Sequence, residues 1–118
     1  MRVLIVEDEF LISFYLETIL EEAGHTVVGM AADMHAALKI AQFEQIDAAI
    51  MDVDLARGSS GFETARLLRE QHALPSLFVT GRVTPEVRRA AEKWPPFLLI
   101  TKPYTNKDIL TGLAKLTD

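Results

Sequence analysis

The chain has 118 residues, 49% of them hydrophobic, with no cysteine and a formal charge of −5. That length predicts one domain spanning residues 1–118, with enough apolar residues for a core. Disulfides and thiolate metal sites are excluded, no apolar run approaches the roughly 20 residues of a membrane span, and the negative charge argues against a nucleic-acid surface.

The opening "MRVLIVEDE" is too short an apolar run, and too soon acidic, for a signal peptide. A cytoplasmic protein is therefore expected. Val3 to Val6 is apolar on both faces, as suits a buried strand of a parallel sheet. Ile12, Leu16, Ile19, Leu20 and Ala23 then fall on one helical face, with Gly24 as a plausible stop. "HTVVGMA" reads as a second strand, and Asp33 as the N-cap of a helix through Ala37, Leu38 and Ala41. Ala48 to Met51 is a third strand, ending at Asp52. Ser60 and Glu63 have capping-box spacing for a helix carrying Phe62, Ala65, Leu67 and Leu68.

"PSLFVTG" is a fourth strand, with Pro75 at its start, where a missing N–H matters least. Thr84 and Pro85 open a helix that should end before Pro95. "FLLIT" is a fifth strand, followed by Lys102 and Pro103. Thr105 and Asp108 cap a final helix bearing Ile109, Leu110, Leu113 and Leu116. That helix runs to the end of the chain, and no repeat, linker or output domain is expected. Strands alternating with helices imply an α/β fold: a doubly wound, five-stranded parallel sheet.

In such sheets ligands gather beyond the carboxyl ends of the strands. The polar residues sit there: Glu7 and Asp8 after the first, Asp52 and Asp54 after the third, Thr80 and Gly81 after the fourth, Thr101 and Lys102 after the fifth. Each has an ordinary reading, as a helix cap, loop acid, strand threonine or surface lysine. Their convergence from four strand ends favours a site. Carboxylates brought close repel unless a cation joins them, and oxygen-only donors favour Mg²⁺ over zinc. Lys102 can bond phosphoryl oxygens as a compact charge, and the Thr80 hydroxyl can donate to another. Gly81 leaves its N–H approachable, and Asp52 becomes a nucleophile that forms an aspartyl phosphate.

With these residues in place, the sequence resembles a response-regulator receiver domain of two-component signalling. "VLIVEDE", "DAAIMDVDL", "LFVTG" and "TKPY" carry the resemblance, in order, over the whole chain. It implies the flavodoxin-like (βα)5 receiver fold. It implies Glu7 and Asp8 as the acidic pair, Asp52 as phosphoacceptor and the Asp54 backbone carbonyl as a further Mg²⁺ ligand. Thr80 becomes the switch hydroxyl, Lys102 the lysine before a cis proline at Pro103, and Val53 and Gly81 the N–H donors to phosphoryl oxygens. The implied partners are a sensor histidine kinase or phosphotransfer protein and an unidentified downstream protein, with the chain a monomer or weak dimer. Chemistry would be limited to the domain's own phosphorylation and dephosphorylation. Phe78, Thr80 and Gly81 further resemble a Phe-x-Thr-Gly motif of stand-alone alphaproteobacterial receivers.

Two positions depart from the family. Leu99 stands where many receivers carry an aromatic that turns inward with the threonine, and Asp54 stands where relatives often have an amide or hydrophobe. Two other readings compete. Asp52-x-Asp54 also fits a haloacid-dehalogenase-like phosphatase, although the acidic pair on the first strand and the short chain weigh against it. A binding-only pseudoreceiver would have no need of the full Asp8, Asp52, Thr80 and Lys102 set.

Three finer expectations follow. Phe10 and Phe14, flanked by Leu11 and Tyr15, should form an outer docking face for the kinase's helices. Asp54 and Arg82 should pair across the mouth of the site and shield the phosphoryl group. His25, His35 and His72 should be surface or boundary residues, and Trp94, before Pro95 and Pro96, should plug the end of the fourth helix.

Overall fold

The computed structural model describes residues 1–81, 83–93 and 98–117, with the backbone alone at 57 and 91. Strands β1 (Arg2–Val6), β2 (Thr26–Ala31), β3 (Ala48–Asp52), β4 (Ser76–Thr80) and β5 (Leu99–Thr101) form one sheet in the order β2-β1-β3-β4-β5. Every adjacent pair is parallel. Helices α1 (Phe10–Glu22), α2 (Met34–Phe43), α3 (Gly61–His72), α4 (Pro85–Glu92) and α5 (Asn106–Leu116) follow the strands in turn. No helix among the described residues is long and apolar enough to cross a membrane.

The period-two pleat distributes the core. Val3 and Ile5 of β1 pack with Leu16 and Leu20 of α1 and with Ile109 and Leu113 of α5. Leu4 and Val6 pack on the other side with Ala37 and Ala41 of α2 and with Ala65 and Leu68 of α3. Both faces are covered, which is why the strands read as continuous apolar runs rather than alternating ones. This is the doubly wound, flavodoxin-like arrangement expected from the sequence.

Helix starts follow their capping residues. Asp33 accepts from the Ala36 N–H at 2.9 Å and Thr84 Oγ1 from the Val87 N–H at 3.1 Å. Thr105 and Asp108 form a complete capping box. On α3 the box is partial: Ser60 accepts from the Glu63 N–H at 3.3 Å, while the Glu63 carboxylate turns to Arg66. Gly24 ends α1 with φ +90°, a backbone that a side chain would strain.

Three details differ from the sequence reading, and a fourth expectation falls outside the described residues. Ala23 is an exposed C-cap rather than a core residue, because α1 has already ended. A short 3-10 turn, Ala56–Gly58, interrupts the β3–α3 loop. Strand β5 has only three residues, and Phe97, expected to begin it, lies outside the described residues. The Trp94–Pro96 plug also lies outside them.

Candidate functional site at the carboxyl edge of the sheet

The strand registers bring the polar ends level. Val6 is opposite Met51, Asp52 opposite Val79 and Thr80 opposite Thr101, so Glu7, Asp52, Thr80 and Lys102 emerge along one edge. The Glu7 N–H donates to the Ala31 carbonyl at 2.9 Å, continuing the β1–β2 ladder past the strand. The Lys102 N–H donates to the Thr80 carbonyl at 2.7 Å, doing the same between β4 and β5. The Lys102–Pro103 peptide is cis.

Glu7 and Asp52 are buried, at 5% and 7% exposure, and Asp8 is exposed. Lys102 Nζ lies 3.6 Å from Glu7 Oε2 and 3.6 Å from Asp52 Oδ2. One ammonium thus stands between two buried carboxylates and partly offsets their repulsion. The balance still disfavours two charges. Burial first, then hydrogen bonding to Asp52 and the charge of Asp52, pushes Glu7 up to about 8, against the opposing pull of Lys102 and the Glu9 N–H.

Glu7, Asp8 and Asp52 each offer one carboxylate oxygen, and these oxygens all lie within 4.8 Å of one another. A hard divalent cation fits this all-oxygen set. It would tolerate the open side at Asp8 by keeping waters there, and would remove the repulsion that the protein meets by protonating Glu7.

The loop after β3 is packed tightly onto Asp52. The Asp54 N–H reaches Asp52 Oδ1 at 3.3 Å, and Asp54 forms an antiparallel bridge with Ser60. The Gly61 N–H donates to the Val53 carbonyl at 2.8 Å. A Cβ on Gly61 would stand 2.0 Å from the Asp52 carbonyl oxygen, so only glycine allows α3 to start there. Sequence reading missed this role. The available signal was a glycine directly after an N-cap, at the point where helix and strand must meet.

The remaining residues read from the sequence divide. Thr80 is buried at the end of β4, and Gly81 is exposed just beyond it. The Val53 N–H is engaged by the Val79 carbonyl at 3.2 Å, extending the β3–β4 ladder, and the Asp54 N–H is the donor turned to the Asp52 carboxylate. Asp54 itself is exposed, and its expected partner, Arg82, lies outside the described residues. Leu99 is partly buried on the α2–α3 face, in register with Phe78, whose ring centroid lies 4.9 Å from that of Phe62. His35 and His72 are exposed, and His25 is half-buried beside the Met1 amine, with Nδ1 3.0 Å away. Phe10 and Phe14 stand out at 70% and 55% exposure, their ring centroids 6.2 Å apart. A cleft of about 210 Å³ runs from Glu7 and Asp8 past Phe10 and Ser13 to Met30.

The family model for the response regulator receiver domain matches residues 3–114. The chain belongs to that family. It is 38% identical over 115 residues to the phyllosphere-induced regulator PhyR of Methylorubrum extorquens, covering 97% of this chain and 42% of PhyR. The solution structure of the PhyR receiver domain of Erythrobacter litoralis superposes with a TM-score of 0.85 at 32% identity, covering 98% of this chain and 88% of that one. Vibrio cholerae chemotaxis protein CheY4 superposes with a TM-score of 0.88 at 29% identity, covering 98% and 97%. The receiver family acts in phosphoacceptor signalling, and that decides against the phosphatase reading of Asp52 and Asp54. The chain spans about half the length of the curated relatives it matches, 42% of PhyR and 54% of the mycobacterial regulator PdtaR.

Proposed function

We propose that Asp52 accepts a phosphoryl group from a sensor histidine kinase or phosphotransfer protein, and that Mg²⁺ binds beside it. The observation that carries this reading is Lys102 Nζ, set 3.6 Å from both Glu7 and Asp52 at the mouth of an all-oxygen cluster. An Asp52 oxygen attacks phosphorus while the bond from phosphorus to the donor's imidazole nitrogen breaks, and the imidazole leaves. Glu7, Asp8, Asp52 and the Asp54 carbonyl would hold Mg²⁺, which when bound neutralises charge on the transferring group. Lys102 and the Thr80 hydroxyl take phosphoryl oxygens. The Gly81 backbone N–H completes the proposed set with the Asp54 N–H, which is already turned toward Asp52, whereas the Val53 N–H is held by the Val79 carbonyl.

The donor's helices dock on the exposed Phe10 and Phe14 of α1, beside the acidic pair. The domain's remaining chemistry is loss of the same phosphoryl group to water. The signal then passes by protein contact or by onward phosphotransfer in the cytoplasm.

Intact mass after treatment with acetyl phosphate and Mg²⁺ should show one added phosphoryl group. It should be absent in Asp52→Ala and in excess EDTA. Undiminished labelling in either would overturn the assignment, and no labelling of the intact chain would favour a pseudoreceiver.

A further inference from the structure

Large apolar side chains are exposed away from α1 as well. Phe43, the last residue of α2, is 78% exposed, and Met30 of the edge strand β2 is 39% exposed. Between β2 and α2 runs a groove of about 440 Å³, with Val28, Gly29 and Ile40 in its wall and Phe43 at its side. Gly29 brings strand and helix together there, since a Cβ on it would stand 2.9 Å from Ile40 Cδ1. Helix α2 runs back toward the amino ends of the strands, so Phe43 sits at the opposite edge of the sheet from Asp52.

An edge strand is a natural place for another strand to add. The register of β2 on β1, however, shifts between Val3 and Leu4, and an irregular edge resists continuous pairing. Contact through side chains is the better use of this face.

The charged side chains lining the groove are Lys39 and Glu44, both exposed. Arg2 holds Glu44 Oε2 at 2.7 Å while its Nε donates to the Gln45 carbonyl at 2.7 Å, so the Glu44 carboxylate is fixed in place. The chain's charge of −5 opposes random association of copies, but a rim of Arg2, Lys39 and Glu44 is not acidic.

We propose that this groove is the contact of a weak two-fold dimer, in which Phe43 of each copy lies in the groove of the other and Lys39 of each faces Glu44 of the other. One patch carries both the projecting ring and the hollow, and both a cation and an anion. A two-fold axis sets each beside its complement, whereas an unrelated partner would need only one member of each pair. Two rings and their surroundings bury less than the roughly 1,200 Å² at which stable interfaces begin, so the dimer forms only at high concentration. The contact leaves the Asp52 edge open and does not depend on phosphorylation.

Sedimentation of the whole chain at low salt, from about 10 μM to about 1 mM, spans the range of such weak contacts. The mean mass should climb toward twice that of one chain and fall back as salt is added. Phe43→Glu should weaken association at least about tenfold, as loss of a central anchor does, while keeping the parent's circular dichroism and its labelling by acetyl phosphate. Lys39→Glu and Glu44→Lys should each associate more weakly than the parent, because each sets like charges face to face. An equimolar mixture of those two variants should regain parental association, since the mixed dimer restores both pairs. A parent that stays monomeric throughout would overturn the inference and leave the groove to a different protein. A dimer untouched by Phe43→Glu, or a mixture no tighter than its components, would place the contact elsewhere and overturn it too.

Discussion

Around Asp52 the backbone is laced from several directions, whereas around α4 and β5 little is buried. The β3–α3 loop is pinned by Gly61 on Val53, by the Asp54–Ser60 bridge, by the Ala56 N–H on the Ala32 carbonyl and by the Met34 N–H on Ser59 Oγ. Among the described residues of α4, by contrast, none is buried, and neither is any residue of β5. Carboxylates crowded together need a backbone that cannot relax away from them. A phosphorylation signal needs the opposite: an element that costs little to rearrange. The two ends of the same edge meet these two requirements separately.

Gly61 gives the largest expected break in that arrangement. A side chain there meets the Asp52 carbonyl oxygen at 2.0 Å, and backbone cannot yield as a flexible side chain can. Gly61→Val should cost about 3 kcal/mol in urea unfolding, at the upper end of overpacking effects. It should also slow acetyl phosphate labelling under conditions where the variant is still folded. A cost below about 1 kcal/mol would show that the laced half is softer than its hydrogen bonds suggest.

Glu7 probes the same half through pH. In metal-free protein its carboxyl rises from 4.5 to about 8, so the folded state holds this proton more tightly than the unfolded state does. The resulting stabilisation is complete below the unfolded value and is lost as pH climbs through the folded one. In EDTA, stability should therefore fall between pH 4.5 and about 8, by on the order of a few kcal/mol. Glu7→Gln, uncharged throughout, should flatten that slope in a series of urea titrations. An equally steep slope in the variant would assign the effect to other groups.

Much of this was legible in the sequence because strand ends and apolar runs are local signals. Asp52 closes an apolar run, Lys102 follows another, and parallel topology alone carries both to one edge. The cap at Thr105 was equally local. Gly61 was not, because its necessity comes from how near α3 approaches the end of β3, a distance that no spacing rule encodes. The engagement of the Val53 N–H was hidden for a similar reason: whether a ladder runs one bond past its strand depends on the neighbouring strand. Leu99 was noticed as a departure, but only the register with Phe78 shows that it belongs to the α2–α3 core.

The outer face of α1 sharpens the contrast from another side, since it adjoins the rigid half without taking part in its core. Phe14 is more than half exposed, so Phe14→Ala should change stability by under about 0.5 kcal/mol. Transfer from the cognate kinase should slow about tenfold, as the loss of one modest anchor would give. Acetyl phosphate labelling should be unaffected. Equal losses with both donors would point to a damaged site rather than a damaged docking face.

The smallest effect is expected on α4, and its smallness is the informative part. Val87 is an apolar residue that α4 turns partly inward, yet it remains half-exposed. Val87→Ala should cost under about 1 kcal/mol, whereas Leu68→Ala, fully buried on α3, should cost about 2–5 kcal/mol for the same kind of truncation. The two variants differ in what surrounds the deleted atoms, so their ratio measures packing rather than residue type. Amide exchange adds a local reading. Protection across α4 should fall short of that across α3 in the parent, and Val87→Ala should lower it further without touching the amides near Asp52. If Val87→Ala cost as much as Leu68→Ala, or if its effect spread to the β3–α3 loop, α4 would be an integral part of the laced framework. The division of the edge into a fixed half and a yielding half would then fail.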